Sequence, residues 1–383
     1  MAFPADALMR TYARIAPSWT NFDLQDTGLV EAKMEAMTSM TAVVKAAAGP
    51  GAEIDQIAIP EPSGKDVLIE VAASSICGTD VHIFDWNDWA RRHIHPPRVF
   101  GHEMSGRVVA VGPEVRDLKP GTFVAAETHV VDHTCRQCQA GLYHLCENVR
   151  VLGVDRDGSF ARYVLLPAEN CWRNAPGLSP EVAALQEPFG NAVHAALAGP
   201  LKDNAVAIFG LGPIGLCAVG IARAEGAAAV YGVEPNPYRR ALAERMGATA
   251  VFPPDDSTVQ DIRRANSGAG VDVVLEMSGH PTAVEQGLQV LHNGGWISLL
   301  GIGDRPVTLD LNDLVVTKSI TIYGIFGRRI WDTWERTSSY LSTGKVDVSP
   351  LITHRFPLDD FQEAMAQMKS GRAGKVVLLP NGG

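Results

Sequence analysis

Two stretches of this 383-residue chain carry residue types that bind metals, and a third carries glycines spaced to admit a phosphate. The first begins Cys77-Gly78-Thr79-Asp80-Val81-His82, with Gly101-His102-Glu103-x-x-Gly106-x5-Gly112 downstream. A catalytic zinc takes three protein ligands from cysteine, histidine and carboxylate and keeps a fourth position open. Cys77 and His102 supply two, and Glu103 or Glu187 supplies the third. Singly, a residue such as Cys77 is more often a buried apolar filler and one such as His102 a satisfied surface histidine; their company argues for metal. In the second stretch Cys135, Cys138 and Cys146 crowd together, whereas Cys171 and Cys217 stand apart and read as core residues. Six cysteines are too few for a disulfide framework, and crowding of this kind in a chain that opens without a secretion signal points to metal.

The third stretch is Gly210-x-Gly212-x-x-Gly215, preceded by the apolar run Ala205-Val206-Ala207-Ile208-Phe209 and followed by a helical pattern. Gly210 permits a tight turn, Gly212 lets a pyrophosphate approach the backbone, and Gly215 allows close packing of helix on strand. The helix N-terminus then presents the positive end of its dipole to the phosphates. Glu234, at the end of the next strand, is placed to accept hydrogen bonds from ribose hydroxyls and to repel a 2′-phosphate. NAD is therefore expected over NADP, although Arg239 is a residue that could greet a phosphate.

Composition narrows the partners. Acidic residues outnumber Lys plus Arg by 43 to 33, for a formal charge of −10, which argues against a nucleic-acid binder that must neutralise phosphates. No apolar run approaches the ~20 residues that cross a bilayer. The opening residues, Met1-Ala2-Phe3-Pro4-Ala5-Asp6, lack a signal-peptide pattern, and the acids that follow disfavour a transit peptide. The expected location is the cytoplasm, with no membrane and no nucleic-acid partner.

The elements that must position these residues fall into two rhythms. From Thr41 to about Gly190, short β-branched runs broken by Gly and Pro suggest an irregular β-rich module. From Asn191 strands alternate with helices, which implies a doubly wound parallel sheet and an overall α/β class. The tail, with an amphipathic pattern over Asp359 to Ser370 and the strand-like Lys375-Val376-Val377-Leu378, is expected to return to the first module. The division is thus an extension over 1–39, a catalytic module over 40–190 and 327–383, and a cofactor module over 191–326. The extension shows no sustained period; Met34, Met37 and Met40 are alternative starts, and a helical arm used in assembly is the other reading.

These motifs resemble the zinc-dependent medium-chain alcohol dehydrogenases, whose zinc signature is matched by Gly101-His102-Glu103-x-x-Gly106-x5-Gly112. Within that family the chain is similar to the L-threonine 3-dehydrogenases, through Cys77 to Ile83 with Trp86 and Trp89, Glu187 to His194, and Ile352-Thr353-His354-Arg355-Phe356. The resemblance spans about Thr41 to Leu379. It implies a GroES-like catalytic domain joined to a Rossmann domain, with Cys77, His102 and Glu103 as zinc ligands and Glu187 close to the metal. Thr79 and His82 match a proton relay, and His129 a substrate-pocket histidine. Ile214, Glu234 and Arg239 match NAD contacts beside Gly210, Gly212 and Gly215, while Leu300, Gly301, Ile302, Ile325 and Phe326 match the nicotinamide end. The family's structural zinc lobe is spaced C-x2-C-x2-C-x7-C, and here Asp132 stands at its first position before Cys135, Cys138 and Cys146. A second zinc held by Asp132 and three thiolates is expected; neighbouring His133 could substitute, and a metal-free lobe is the alternative. The implied reaction is oxidation of L-threonine to 2-amino-3-oxobutyrate by hydride transfer to NAD, in a homotetramer joined along the edge near Ile320–Tyr323. A polyol or diol dehydrogenase is the competing enzyme reading, and a non-catalytic zinc-bearing binding protein the competing class. Spacing alone does not say what holds a substrate's charges; Arg91, Arg92 and Arg328 are the loop candidates.

Overall fold

The computed structural model of the chain describes residues 38–303 and 305–382. The extension expected over residues 1–39 lies, as far as residue 37, outside the described residues.

The residues after Asn191 form a six-stranded sheet. Its strands are β11 (Ala205–Phe209), β12 (Ala229–Val233), β13 (Ala250–Phe252), β14 (Val271–Glu276), β15 (Leu291–Leu299) and β16 (Thr321–Gly324). Every pairing is parallel, in the order β13-β12-β11-β14-β15-β16. β11 is buried along its whole length, as expected of a strand covered on both faces. Val206 and Ile208 pack into one core, together with the helix Pro213–Ala224, while Ala205, Ala207 and Phe209 enter another on the opposite face. The order reverses between β11 and β14, which opens a crevice at the carboxyl ends of these strands.

The preceding residues and the tail build a second body. Its main strands are β3 (Asp66–Ser75), β5 (Glu103–Val111), β6 (Phe123–Ala126), β9 (Tyr163–Pro167) and β10 (Cys171–Arg173), joined by β17 (Ile352–Pro357) and β18 (Lys375–Leu379). They run β10-β6-β5-β3-β18-β17, with β9 paired to the other end of β3. β18 lies antiparallel to β3, Val377 opposite Ser75, so the tail does return to the first module. Beside this sheet, β1 (Ser39–Lys45) pairs with β2 (Glu53–Ala58) and β4 (Arg98–Val99). A two-stranded ribbon joins β7 (His129–Val130) to β8 (Arg150–Val151).

One apolar core runs through both bodies. Ala73 and Val377 of the β-rich body, and Phe189 and Val193 of the helix Gln186–Ala196, pack with Val206, Leu216 and Leu275 of the parallel sheet. The metal-ligand residues and the glycine turn therefore sit on one continuous scaffold.

Candidate active site

Cys77 caps the helix Gly78–Asp85 in an extended conformation, which places its sulfur at the positive end of the helix. Its N–H donates to Asp80 Oδ2 at 2.8 Å. His102 immediately precedes β5 and Glu103 opens it. Gly101 makes that possible: its φ is +91°, and a Cβ there would stand 2.3 Å from the Phe160 ring. One ligand atom from each of Cys77, His102 and Glu103 lies within 4.8 Å of the others. The buried His102 Nδ1 faces Asp80 Oδ1 at 3.6 Å, and both atoms lack a hydrogen bond. Burial opposes a charged His102, yet Asp80 and Cys77 together carry its pKa well above the ordinary value. The pocket thus draws positive charge to where these ligand atoms converge, which is the electrostatics of a cation site.

Glu103 is held from behind by Ser75 Oγ and by Lys375 Nζ of β18, a lysine almost wholly buried. Lys375 also feels the charges of Cys77 and Glu187, which puts Glu187 beside the cluster. Glu187 itself is clasped by Arg328 Nη1 and by Thr128 Oγ1 at 3.4 Å. Arg328 corrects an expectation. It is no solvated loop residue free to greet a substrate; it is 1% exposed and filled with protein partners. Nε and Nη2 grip Glu127 at 3.0 and 2.5 Å, and Nη2 reaches Thr128 Oγ1 at 2.9 Å. Glu127 also accepts from Trp334 Nε1 at 2.6 Å. Burial works against the Glu127 carboxylate, but Arg328 and His129 hold its pKa far below the carboxylate range.

Thr79 is half-buried with Oγ1 3.8 Å from Cys77 Sγ, and His82, one turn on, is exposed. His82 Nδ1 faces Asn87 Nδ2 at 2.9 Å. The amide can only donate, so His82 accepts at Nδ1 and carries its proton on Nε2. His129 lies at the start of β7 and touches Glu127 and Arg328.

At the crevice of the parallel sheet, Gly210 has φ +88° and a Cβ there would meet Ser278 at 2.8 Å. A Cβ on Gly212 would meet no protein atom within 4 Å, leaving the helix N-terminus open to an anion. Glu234 accepts from Leu211 N at 2.9 Å and Asn236 N at 3.1 Å, with Arg239 4.0 Å away. Ile214 lies in the first turn of the helix that begins at Pro213. Leu300 and Gly301 leave β15 by donating to Glu276 O, and Ile325 N donates to Leu299 O, which brings both strand ends to the same rim. Ile302 and Phe326 are exposed there. Gly215 has one of the two strictest requirements, since a Cβ would stand 2.0 Å from Gly210 O. Gly215→Ala is expected to weaken NADH binding by at least about tenfold and to cost ~1–3 kcal/mol of stability; fluorescence titration and urea unfolding read the two effects.

Asp132, Cys135, Cys138 and Cys146 also converge within 4.8 Å. Cys135 Sγ and Cys146 Sγ are 4.0 Å apart, close to the ~3.8 Å edge of a tetrahedron with Zn–S bonds of ~2.3 Å. Asp132 Oδ1 lies 3.5 Å from Cys146 Sγ. Hydrogen bonds from Asn148 and from the Cys135 and Thr134 amides hold the Asp132 carboxyl well below its ordinary pKa. His133 turns away, with Nε2 2.9 Å from Glu169, so it is Asp132 that completes the quartet.

Comparison with known proteins gives the lineage. Residues 63–176 match the alcohol dehydrogenase GroES-like domain and residues 213–343 match zinc-binding dehydrogenase. An L-threonine 3-dehydrogenase from Pyrococcus horikoshii is 46% identical over 342 residues, covering 89% of this chain and 98% of the relative. The chain belongs to the zinc-binding alcohol dehydrogenase family. Another L-threonine 3-dehydrogenase, from Caldanaerobacter subterraneus, is 47% identical over 89% of this chain and 99% of its own. Among solved structures, a zinc-binding dehydrogenase from Sinorhizobium meliloti bound to NADP superposes with TM-score 0.83 at 32% identity, covering 90% of this chain and all of that one. The 2R,3R-butanediol dehydrogenase of Bacillus subtilis superposes with TM-score 0.81 at 31% identity, with the same coverage.

This dehydrogenase therefore uses zinc and a nicotinamide cofactor, and the donor sets described above fit both. Its α/β architecture is the expected one, a GroES-like body on a Rossmann sheet. Four supporting residues escaped the sequence reading: Asp80, Glu127, Glu276 and Lys375. Each is a buried charge, and Glu127, Glu276 and Lys375 lie at the end of an apolar run. Glu276, closing β14, accepts from Ser278 and Gly279 and so shapes the loop against Gly210; burial raises its pKa. Among the described residues no helix is long and apolar enough to cross a membrane.

Proposed function

We propose that this dehydrogenase oxidises the C3 hydroxyl of L-threonine, giving 2-amino-3-oxobutyrate and NADH. The observation that carries the reading is identity of 46–47% to L-threonine 3-dehydrogenases over nearly their whole lengths. Cys77, His102 and Glu103 would hold the catalytic zinc. When bound, the metal supplies Lewis-acid polarisation of the substrate oxygen. Thr79 and His82 would pass the hydroxyl proton to solvent, and Leu300, Gly301, Ile302, Ile325 and Phe326 would hold the nicotinamide, which would supply the acceptor for the C3 hydride. Arg328 keeps Glu187 oriented beside the metal. Glu234 selects NAD by accepting from the ribose hydroxyls, with Arg239 flanking.

The experiment is NADH formation by zinc-replete enzyme with L-threonine beside sorbitol and 2,3-butanediol, with NAD and NADP run separately. Preference for L-threonine with NAD is the expected result. Turnover confined to a polyol or diol would move the substrate to the reading that the butanediol dehydrogenase likeness favours.

The lobe of Asp132, Cys135, Cys138 and Cys146 holds a second, structural zinc in this reading. A carboxylate is harder than a thiolate, so this ion is more exchangeable than one held by four thiolates. Asp132→Cys is expected to slow its release to a chelator, and Asp132→Ala to reduce zinc from two to one per chain by elemental analysis. The edge strand β16, with Ile322, Tyr323 and nearby Leu311 and Val316 exposed, joins cofactor domains in a homotetramer. Light scattering tests that assembly. The enzyme works in the cytoplasm on a small amino-alcohol.

A further inference from the structure

The residues of the reaction leave one question open: which group recognises a substrate's ammonium. Glu127 is out of reach. It is fully buried, and both oxygens already accept from Arg328, with further bonds from His129 and Trp334. His129 is differently placed. Its side chain is 13% exposed, and it stands against Gly327, where a Cβ would lie 3.6 Å from its Cε1. Gly327 directly follows the β16 rim of the cofactor crevice, and the Arg328 beside it clasps Glu187. His129 thus touches Arg328, which reaches Glu187, and Gly327, which follows the last strand of the parallel sheet.

The proton on the His129 ring can be located by counting hydrogens. Nδ1 is 3.0 Å from Glu127 Oε1 and also 3.0 Å from Arg328 Nη2. Nη2 has two hydrogens, and Glu127 Oε1 at 2.5 Å and Thr128 Oγ1 at 2.9 Å take both. None remains for Nδ1 to accept, so Nδ1 must be the N–H, donating to Glu127. In the neutral ring Nε2 then carries the lone pair. It makes no hydrogen bond to the described protein and is not sealed from solvent. The segment cannot turn to escape this arrangement, because Asn170 Nδ2 holds both Glu127 O and His129 O, at 2.8 and 3.0 Å.

We infer that Glu127 is a positioning residue that fixes His129 as the Nδ1–H tautomer, making Nε2 the acceptor for the ammonium of an amino-alcohol substrate. A lone acceptor repels a carboxylate and rewards a donor, and an ammonium is the strongest donor such a substrate offers. The inference rests on the amino-alcohol reading above and names the group that enforces it.

Two measurements on the zinc-loaded enzyme test it. In ¹⁵N-histidine-labelled protein, the His129 ring, identified by its loss in His129→Asn, is expected to show the Nδ1-protonated pattern; an Nε2–H ring would overturn the assignment. The second measurement is the affinity ratio of L-threonine to (R)-3-hydroxybutyrate, which keeps the hydroxyl and carboxylate but lacks the ammonium, read as KM or as a competitive inhibition constant. His129→Asn preserves an N–H for Glu127 and removes the Nε2 acceptor, so the ratio should fall about 10- to 100-fold. His129→Gln, whose carbonyl reaches the Nε2 position, should restore part of it. A purely structural role predicts the reverse order. An unchanged ratio in His129→Asn would overturn the proposal and leave Glu187 as the acceptor. Wild-type enzyme that oxidises alcohols but not L-threonine would instead remove the substrate reading, whatever tautomer His129 shows.

Discussion

Cys77→Ala is expected to lower kcat/KM by at least about 1,000-fold while leaving the dinucleotide site intact. In the proposed site Cys77 would supply the soft ligand at the positive end of a helix, and its removal would leave only His102 and Glu103 to face the metal. Two ligands do not make a stable zinc site. Lewis-acid stabilisation of a developing charge is worth several kcal/mol, and ~4 kcal/mol corresponds to about 1,000-fold in rate. Three measurements separate this from misfolding. Zinc content should fall by one ion per chain, NADH fluorescence titration should be unchanged, and the unfolding midpoint should shift little. Retained turnover with one zinc fewer would show that Cys77 is not a ligand of the reacting metal.

Arg328→Leu should be the most destabilising single substitution in the site. Nothing solvates the guanidinium, and it answers two buried carboxylates at once. Removing it leaves Glu127 and Glu187 buried without their cation, a situation that costs ~3–5 kcal/mol. Burial works against its charge, but the two glutamates raise the Arg328 pKa still further above its ordinary value. Arg328→Lys retains the charge but lacks the fork that spans both acids, and should recover part of the stability and little of the turnover. Urea unfolding and kcat read the two effects. Full stability in Arg328→Leu would mean that the glutamates find other partners.

The chemistry was legible wherever its residues are neighbours in the chain. Gly210 to Gly215 occupy one turn, so spacing carries their geometry, whereas Glu103 beside His102 and Asp132 beside Cys135, Cys138 and Cys146 were named through the family resemblance. The buried brace behind them was not. Arg328 meets Glu127 across 201 residues and Glu187 across 141, and no local pattern encodes a contact of that span. A signal did exist in kind: Glu127 and Lys375 each sit at the end of a run of buried aliphatics, where a charge demands a partner. Spacing names such a residue without naming what it meets. Arg328 was misjudged for the same reason, since a charged residue beyond a strand end looks solvated until the helix Gln186–Ala196 is packed against it. Gly190 on that helix completes the fit, because a Cβ there would stand 2.7 Å from Arg328 Cδ.

The tail strand β18 has a consequence for the order in which the molecule can be made. Lys375 closes the back of Glu103, and Val377 pairs with Ser75, partners separated by some three hundred positions. A ribosome finishes every strand of the parallel sheet before it releases the lysine that neutralises Glu103. The dinucleotide half can therefore collapse during translation, since its contacts are local, whereas the catalytic half waits for nearly the last residues. A chain interrupted before Lys375 would hold the glycine turn and the thiol ligand together with an uncompensated buried carboxylate. Such a product should capture cofactor without turning over alcohol, and competence would be gained only at the close of synthesis.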